Sequence, residues 1–323
     1  MRRLDHFMAQ ANAEYYATRD PFADFTTSPE ISQAFGEVLG AWAAVVWALL
    51  GRPDPVILAE AGPGRGTLMA DASRVLSRVA PDFIAAARLH LVESSARLRA
   101  VQATILPAAT WHDAIEDLPD QPMVLLANEF LDALPIRQFI FRDGGWVERW
   151  VTEAGFSEVA AELFRTNAAD GEIFEVCEAA HGVIRNLADR FGRHPGVALF
   201  LDYGPAESAP GDSLQALRDG APVEPWVTPG SADLTAHVDF SALAATARAA
   251  GCDVQGPVPQ GKFLAEIGLF RRTGQLARTQ PPAAAARLME AAQRLAEPDR
   301  MGRLFKVMAV CHPGCLALPG FEA

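Results

Sequence analysis

The stretch Val56-Ile57-Leu58-Ala59-Glu60-Ala61-Gly62-Pro63-Gly64-Arg65-Gly66-Thr67 constrains the fold more than any other part of the chain. Apolar residues run into an acid, and three glycines at alternate positions precede a Thr and a helical pattern over Leu68 to Val79. A buried strand, a tight turn and a helix start, in that order, make the nucleotide cradle of a doubly wound α/β fold. Gly62, Gly64 and Gly66 can take positive φ, and their missing Cβ lets a ligand reach the backbone. The helix start behind them presents unpaired N–H groups.

The spacing is E-x-G-x-G-x-G, whereas a dinucleotide fingerprint reads G-x-G-x-x-G. This shape suits S-adenosylmethionine (SAM), which has no pyrophosphate to cradle, and it disfavours a nicotinamide dehydrogenase. Taken alone, the motif leaves SAM, another nucleotide and a purely structural turn open. A SAM reading draws on Glu60, Gly62, Pro63, Gly64, Gly66 and Thr67.

With half of its 323 residues hydrophobic and 21% charged, the chain can bury a full core. The net charge of −12 argues against a nucleic-acid partner. Four scattered cysteines without a secretory leader suggest a reduced, cytoplasmic location. Cys311-His312-Pro313-Gly314-Cys315 offers too few ligands for a metal site and reads as a Pro-Gly turn, so no metal is expected. The longest apolar run, Leu39 to Leu50, is too short to insert in a membrane.

Residues 1–53 read as a helical segment covering the cofactor site, with a helix from Ser28 to about Leu50 started by Ser28-Pro29-Glu30. Residues 54–204 and 233–323 read as the α/β core, with a β-hairpin at 136–151 and an irregular, Pro/Gly-rich insertion at 205–232. Leu89 to Glu93 is a second strand. Its terminal acid, Glu93, stands where ribose hydroxyls are bound, although a surface acid is the plain alternative. Trp111-His112-Asp113 ends a third strand, where Trp111 either contacts an adenine ring or simply packs. Val197 to Gly204 is another core strand, and Phe263-Leu264 and Arg303 to Val310 are the expected last two.

The chemistry is expected after the strand Met123 to Ala127, which runs into Asn128-Glu129-Phe130-Leu131-Asp132. An amide and two carboxylates at a strand's carboxyl end are costly to bury unless partnered or used. Capping of the next element is the structural alternative. Thr26, Thr27, Ser28 and Glu30 could line a pocket. His237, near Asp233 and Asp239, is either a catalytic His or part of a helix cap.

These residues together resemble the MidA-like family of SAM-dependent methyltransferases, over nearly the whole chain. The motifs are Ser28 to Ser32, Phe35-Gly36-Glu37, Glu60 to Leu68, Val92-Glu93-Ser94, Asn128 to Pro135, Asp202-Tyr203-Gly204, Asp233 to Phe240 and Met301 to Val307. Mitochondrial members of that family are arginine methyltransferases that assist assembly of respiratory complex I. The chain departs from the pattern in a shorter N-terminus and a trimmed loop, Pro21-Phe22-Ala23-Asp24-Phe25, without glycine. Leu131 replaces a Phe, and Gly220-Ala221-Pro222 stands where a His is common.

The resemblance implies a class I, Rossmann-like methyltransferase fold with a doubly wound seven-stranded sheet. It implies SAM as cofactor and methyl transfer to an arginine of a protein or peptide, a respiratory-complex subunit among the candidates, with a homodimer as the candidate assembly. Cofactor contacts would fall on the glycine turn, Glu93, Trp111, His112, Asn128 and Glu129. Glu129 and Asp132, with Glu30, would clamp a guanidinium, and His237 is a further catalytic candidate. Two other readings are a SAM-binding assembly protein without catalysis, suggested by the trimmed loop, and a methyltransferase for small molecules or peptides.

Overall fold

A computed structural model describes residues 1–19, 26–162 and 168–322. Seven strands form its central sheet: β1 (Val56–Ala61), β2 (Ala87–Val92), β3 (Thr110–His112), β4 (Met123–Asn128), β5 (Gly196–Tyr203), β6 (Asp253–Pro259) and β7 (Phe305–Cys311). Across the sheet they lie in the order β6-β7-β5-β4-β1-β2-β3. Strand β7 is antiparallel to both its neighbours, while β5, β4, β1, β2 and β3 run parallel. The chain moves outward from β1 through β2 to β3 and then returns to β4 on the other side of β1. That reversal opens a crevice between the carboxyl ends of β1 and β4, where open α/β sheets bind ligands.

Alternation along each inner strand feeds two cores. Val56, Leu58, Val124 and Leu126 face one layer of helices. Ile57, Ala59, Leu125 and Phe200 face the other, which contains the helices Glu178–Phe191 and Phe240–Ala249. Because both faces are covered, these strands read as continuous apolar runs, which is why they were visible in the sequence.

The N-terminal region supplies α1 (Leu4–Thr18), α2 (Ser28–Ile31) and α3 (Gln33–Leu49), and the glycine turn leads into α4 (Thr67–Val79). The single helix expected from Ser28 is two helices, because Ser32 is extended (φ −151°, ψ 122°). Thr27 rather than Ser28 precedes the first helical residue. The Ser28 N–H, one of the first-turn N–H groups without a helical acceptor, is donated to Glu129, 101 residues away. Helix α3 lies close against α4 because of Gly40, where a Cβ would come within 2.7 Å of the Ala72 Cα.

Three other expectations change. The hairpin at 136–151 is present as Arg137–Arg142 and Gly145–Thr152, but Arg2–Arg3, Gly155–Ala161 and Ile173–Val176 extend it to a five-stranded sheet. Residues 205–232 are not wholly irregular, since Gln215–Arg218 and Ala221–Pro222 join Asp233–Thr235 in a three-stranded sheet. Phe263 and Leu264 belong to the helix Gln260–Glu266, where both are fully buried, and the strand is β6 instead. Gly256, Pro257 and Pro259 disguise β6 in the sequence, yet they are tolerated because β6 is an edge strand with pairing on one side. Among the described residues, no helix is long and apolar enough to cross a membrane.

Candidate cofactor and active site

Strand β1 delivers Glu60 and the glycine turn to the crevice. Gly62, Gly64 and Gly66 all have positive φ (67°, 55° and 82°), which is the conformation their lack of Cβ makes cheap. The Gly66 N–H closes the turn on the Pro63 carbonyl at 2.6 Å, and α4 starts at once. Glu60 is 2% exposed and accepts the N–H of Met69 in the first turn of α4, while its Oε2 is buried without a partner. Burial pushes its carboxyl up to about 8.

At the end of β2, Glu93 Oε1 accepts the Ser95 N–H at 2.8 Å and Oε2 faces the Gln102 amide at 3.4 Å. Burial raises this carboxyl too. Glu60, Glu93, Glu30 and Glu129 all line one cavity of about 360 Å³, together with the glycine turn and Asn128. Helix α1 closes one side with Asn12 and Tyr16. Its hold is specific: the Asn12 amide donates to the carbonyls of Ala133 (3.0 Å) and Leu234 (2.8 Å), and its Oδ1 accepts the Leu234 N–H.

The strand β4 ends in Asn128, and Glu129 then takes a left-handed backbone conformation (φ 49°) that is rare without glycine. Neighbours fix it there. Its N–H is donated to the Leu201 carbonyl at 2.9 Å, and its Oε1 accepts from the Ser28 N–H and the Asn128 amide, each at 2.9 Å. The next three N–H groups, of Phe130, Leu131 and Asp132, all converge on Asp202 Oδ2 at 3.2, 2.9 and 3.3 Å. Asp202 is thus an acceptor peg at the end of β5 that sets the turn bearing Glu129. Burial and the Glu129 charge push its carboxyl up to about 7. Glu30, from α2, accepts the Thr67 hydroxyl at 2.5 Å and so ties α2 to the glycine turn.

Several expected site residues lie elsewhere. Asp132 is 7% exposed and does not line the cavity; it lies among Asp202, Glu129, Asp233 and the Tyr203 hydroxyl. Burial and these like charges hold it well above the usual carboxylate range. Trp111 does not line the cavity; its indole N–H is donated to Gln102 Oε1 at 2.8 Å and its ring packs on the core. His112 also lies outside it, in contact with His90 Nδ1 at 2.8 Å. Both sit on the edge strand β3, one strand beyond Glu93. His237 lines a different cavity, beside Tyr203. The loop Pro21-Phe22-Ala23-Asp24-Phe25 lies outside the described residues. Asp202 is the residue whose role sequence reasoning missed, although it ends a recognised strand.

Residues 38–258 match the model of a family of S-adenosyl-L-methionine-dependent methyltransferases. The chain belongs to that family. It is similar to the Drosophila melanogaster homolog of protein arginine methyltransferase NDUFAF7, mitochondrial, with 35% identity over 96% of this chain and 80% of that one. Its identity to the Homo sapiens protein of that name is 31%, over 92% and 76% of the two chains. The fold is similar to that of a Burkholderia thailandensis protein bound to S-adenosyl-homocysteine (TM-score 0.77, 25% identity, 98% of this chain and 89% of that one).

The cofactor of this methyltransferase is therefore SAM, and the cavity fits it. A ligand of that size suits a space of a few hundred Å³ with few polar groups. Glu60 Oε2 and Asn128 Oδ1 are buried acceptors without a protein partner, so they would take the cofactor's ammonium donors. Glu93 would hold the ribose hydroxyls, and Gly62 and Gly64 let the ligand approach the backbone. Bound SAM supplies an electrophilic methyl group on a sulfonium sulfur. Among the described residues, no group of His, Cys, Asp or Glu is placed to hold a metal ion.

Proposed function

We propose that this enzyme methylates a guanidinium nitrogen of arginine in a protein or peptide, with Glu129 and Glu30 as its substrate carboxylates. The observation that carries the reading is the placement of Glu129: it faces the cofactor cavity from a strained turn that Ser28, Leu201 and Asp202 hold in place. A guanidinium is planar and stays protonated in water, and a carboxylate pairs with two of its nitrogens at once. Such pairing draws charge towards those nitrogens, enriches the third and fixes its direction for in-line attack. Glu30 keeps the place in the clamp that the sequence suggested for it, and Asp132, which does not line the cavity, is left out. The relatives named protein arginine methyltransferases support the same substrate class.

The test is transfer of labelled methyl from SAM to arginine-containing protein. Glu129→Gln should lower kcat by about 10²–10⁴-fold if its carboxylate orients and activates the nucleophile. SAM affinity should stay within a few-fold of wild type. Full activity in that variant sinks the reading. The proposal also carries forward the MidA-like assignment, a respiratory-complex subunit as substrate, a homodimer and a reducing, cytoplasmic setting. The free state of Cys177, Cys252, Cys311 and Cys315 supports the last of these.

A further inference from the structure

Between β6 and β7 lies a helical hairpin, Leu269–Ala277 followed by Pro282–Ala296. Its two helices pack against each other, the first also on α3 and the second on α2. Its composition runs against the rest of the chain. Residues 269–296 hold five arginines and one acid, Glu290, in a protein of net charge −12.

Spacing arranges four of these arginines in two outward pairs. Arg271 and Arg278 are seven positions apart, as are Arg287 and Arg294, so the members of each pair share one side of their helix, about 10.5 Å apart. Arg278 caps the first helix and keeps helical backbone angles (φ −58°, ψ −26°). The opposite sides carry the buried residues, Leu269 and Thr273 on the first helix and Ala292 and Leu295 on the second. All four arginines are exposed.

Neighbouring acids do not neutralise them. The fifth arginine, Arg272, is paired with Glu37 at 2.6 Å, and on α3 and α4 Arg74 holds both Glu37 and Asp71. Glu266 lies 3.8 Å from Lys262. Glu290 and Glu297 meet Arg300 at 2.6 and 3.4 Å, and Asp299 adds its charge to the same arginine. Arg303 and Lys306 stand with Asp299 and Arg300 on one cavity wall, so those three acids face three cations. The surplus is the hairpin's own: among the described residues, Arg271, Arg278, Arg287 and Arg294 have no carboxylate partner.

The face adjoins the site already described. Helix α2, on which the second hairpin helix packs, carries Glu30 and donates the Ser28 N–H to Glu129. The Arg294 charge reaches Glu129, whose carboxyl it lowers against the effect of burial. We infer that the four arginines dock an acidic segment of the substrate protein beside the cofactor crevice. Each guanidinium matches a carboxylate in two-point geometry, and two pairs along two short helices suit a short run of acids. A nucleic acid or an anionic membrane would also meet the acidic remainder of the chain, which a short segment need not. The inference rests on the arginine reading above only for what the docked protein presents to Glu129.

The experiment uses the full chain saturated with S-adenosyl-homocysteine and fluorescein-labelled peptides without arginine, of alternating glutamate and glycine or glutamine and glycine. By anisotropy the glutamate peptide should bind about tenfold tighter at low salt, as several exposed ion pairs together imply, and lose that margin as salt is raised. Arg278→Glu with Arg287→Glu should abolish the margin, and the same two positions changed to Lys should keep most of it. S-adenosyl-homocysteine affinity should be equal in all three proteins. Equal binding of the two peptides, or a margin that survives the double Glu variant, overturns the inference. So does a single-stranded oligonucleotide or an anionic vesicle that binds this face more tightly than the glutamate peptide. With SAM, an arginine joined to the glutamate peptide should show a KM about tenfold lower than one joined to the glutamine peptide, at equal kcat. A glutamate preference in binding without methylation of either arginine would leave the docking face standing and overturn the arginine reading.

Discussion

Glu60, next to last in β1, and Asp132, four residues past the end of β4, stand at the carboxyl ends of adjacent parallel strands, and in chemical terms they are near twins. Both are buried, both have one carboxylate oxygen without a partner, and burial raises both. Their surroundings separate them. Glu60 sits against the first turn of α4 and opens into the cofactor cavity, where a cation can answer it. Asp132 is turned inward by the grip of Asp202 on the preceding turn and meets only other acids and a tyrosine. The difference teaches that an acid at a strand end is a site residue only if the turn after the strand aims it at the crevice.

The strongest way to break this comparison is to release the turn. Asp202→Ala leaves three buried N–H groups without their acceptor and should cost about 3 kcal/mol or more in urea unfolding. It should also lower turnover by freeing Glu129. A smaller effect is expected at the other turn. In Gly62→Ala the residue keeps φ 67° at a strain of about 1–2 kcal/mol. The new Cβ would lie 3.1 Å from Phe130 Cδ2, at the wall of the cavity. Weaker SAM binding with little change in kcat, measured by calorimetry and steady-state kinetics, is the outcome that separates the cofactor side from the substrate side.

The raised carboxyls also set a pH dependence. Above about pH 6.5 the unfolded chain has lost its carboxyl protons, whereas folded Asp202 and Glu60 still hold theirs up to about 7 and about 8. The native state then binds more protons, so stability of the cofactor-free protein falls as pH rises from about 6.5 to about 8. Burial holds His90 down to about 4, which acts in the opposite sense and fades as the unfolded imidazole loses its proton at the lower edge of that window. Urea midpoints at the two pH values should show the decline, and Glu60→Gln should reduce it. The smallest effect belongs to Asp132→Asn, which removes a carboxyl that does not line the cofactor cavity. Its kcat should stay within about threefold of wild type, whereas a loss matching Glu129→Gln would return Asp132 to the clamp.

What was legible in the sequence follows the range of the interactions. Strand β1 and its glycine turn are local: five apolar or small residues with Glu60 among them, then a turn whose conformation the glycines themselves permit. Glu93 was legible because the distance from a glycine turn to the next strand end is set by one crossover. Asp202 was not, because its role exists only when residues 70 to 72 positions apart meet. Strand β6 was hidden by prolines that only an edge position tolerates. Trp111 stayed open between ligand and core because aromatic residues serve packing and stacking alike, and its indole N–H is donated to Gln102.

The central contrast can be measured directly by titrating SAM into Glu60→Gln and Asp132→Asn proteins in a calorimeter at pH 8. Loss of the charged acceptor in Glu60→Gln should weaken binding by about 10–100-fold, the range of one charge-assisted hydrogen bond, while Asp132→Asn binds as wild type does. Equal weakening in the two variants, or an unchanged affinity in Glu60→Gln, would contradict the division of roles between these two acids.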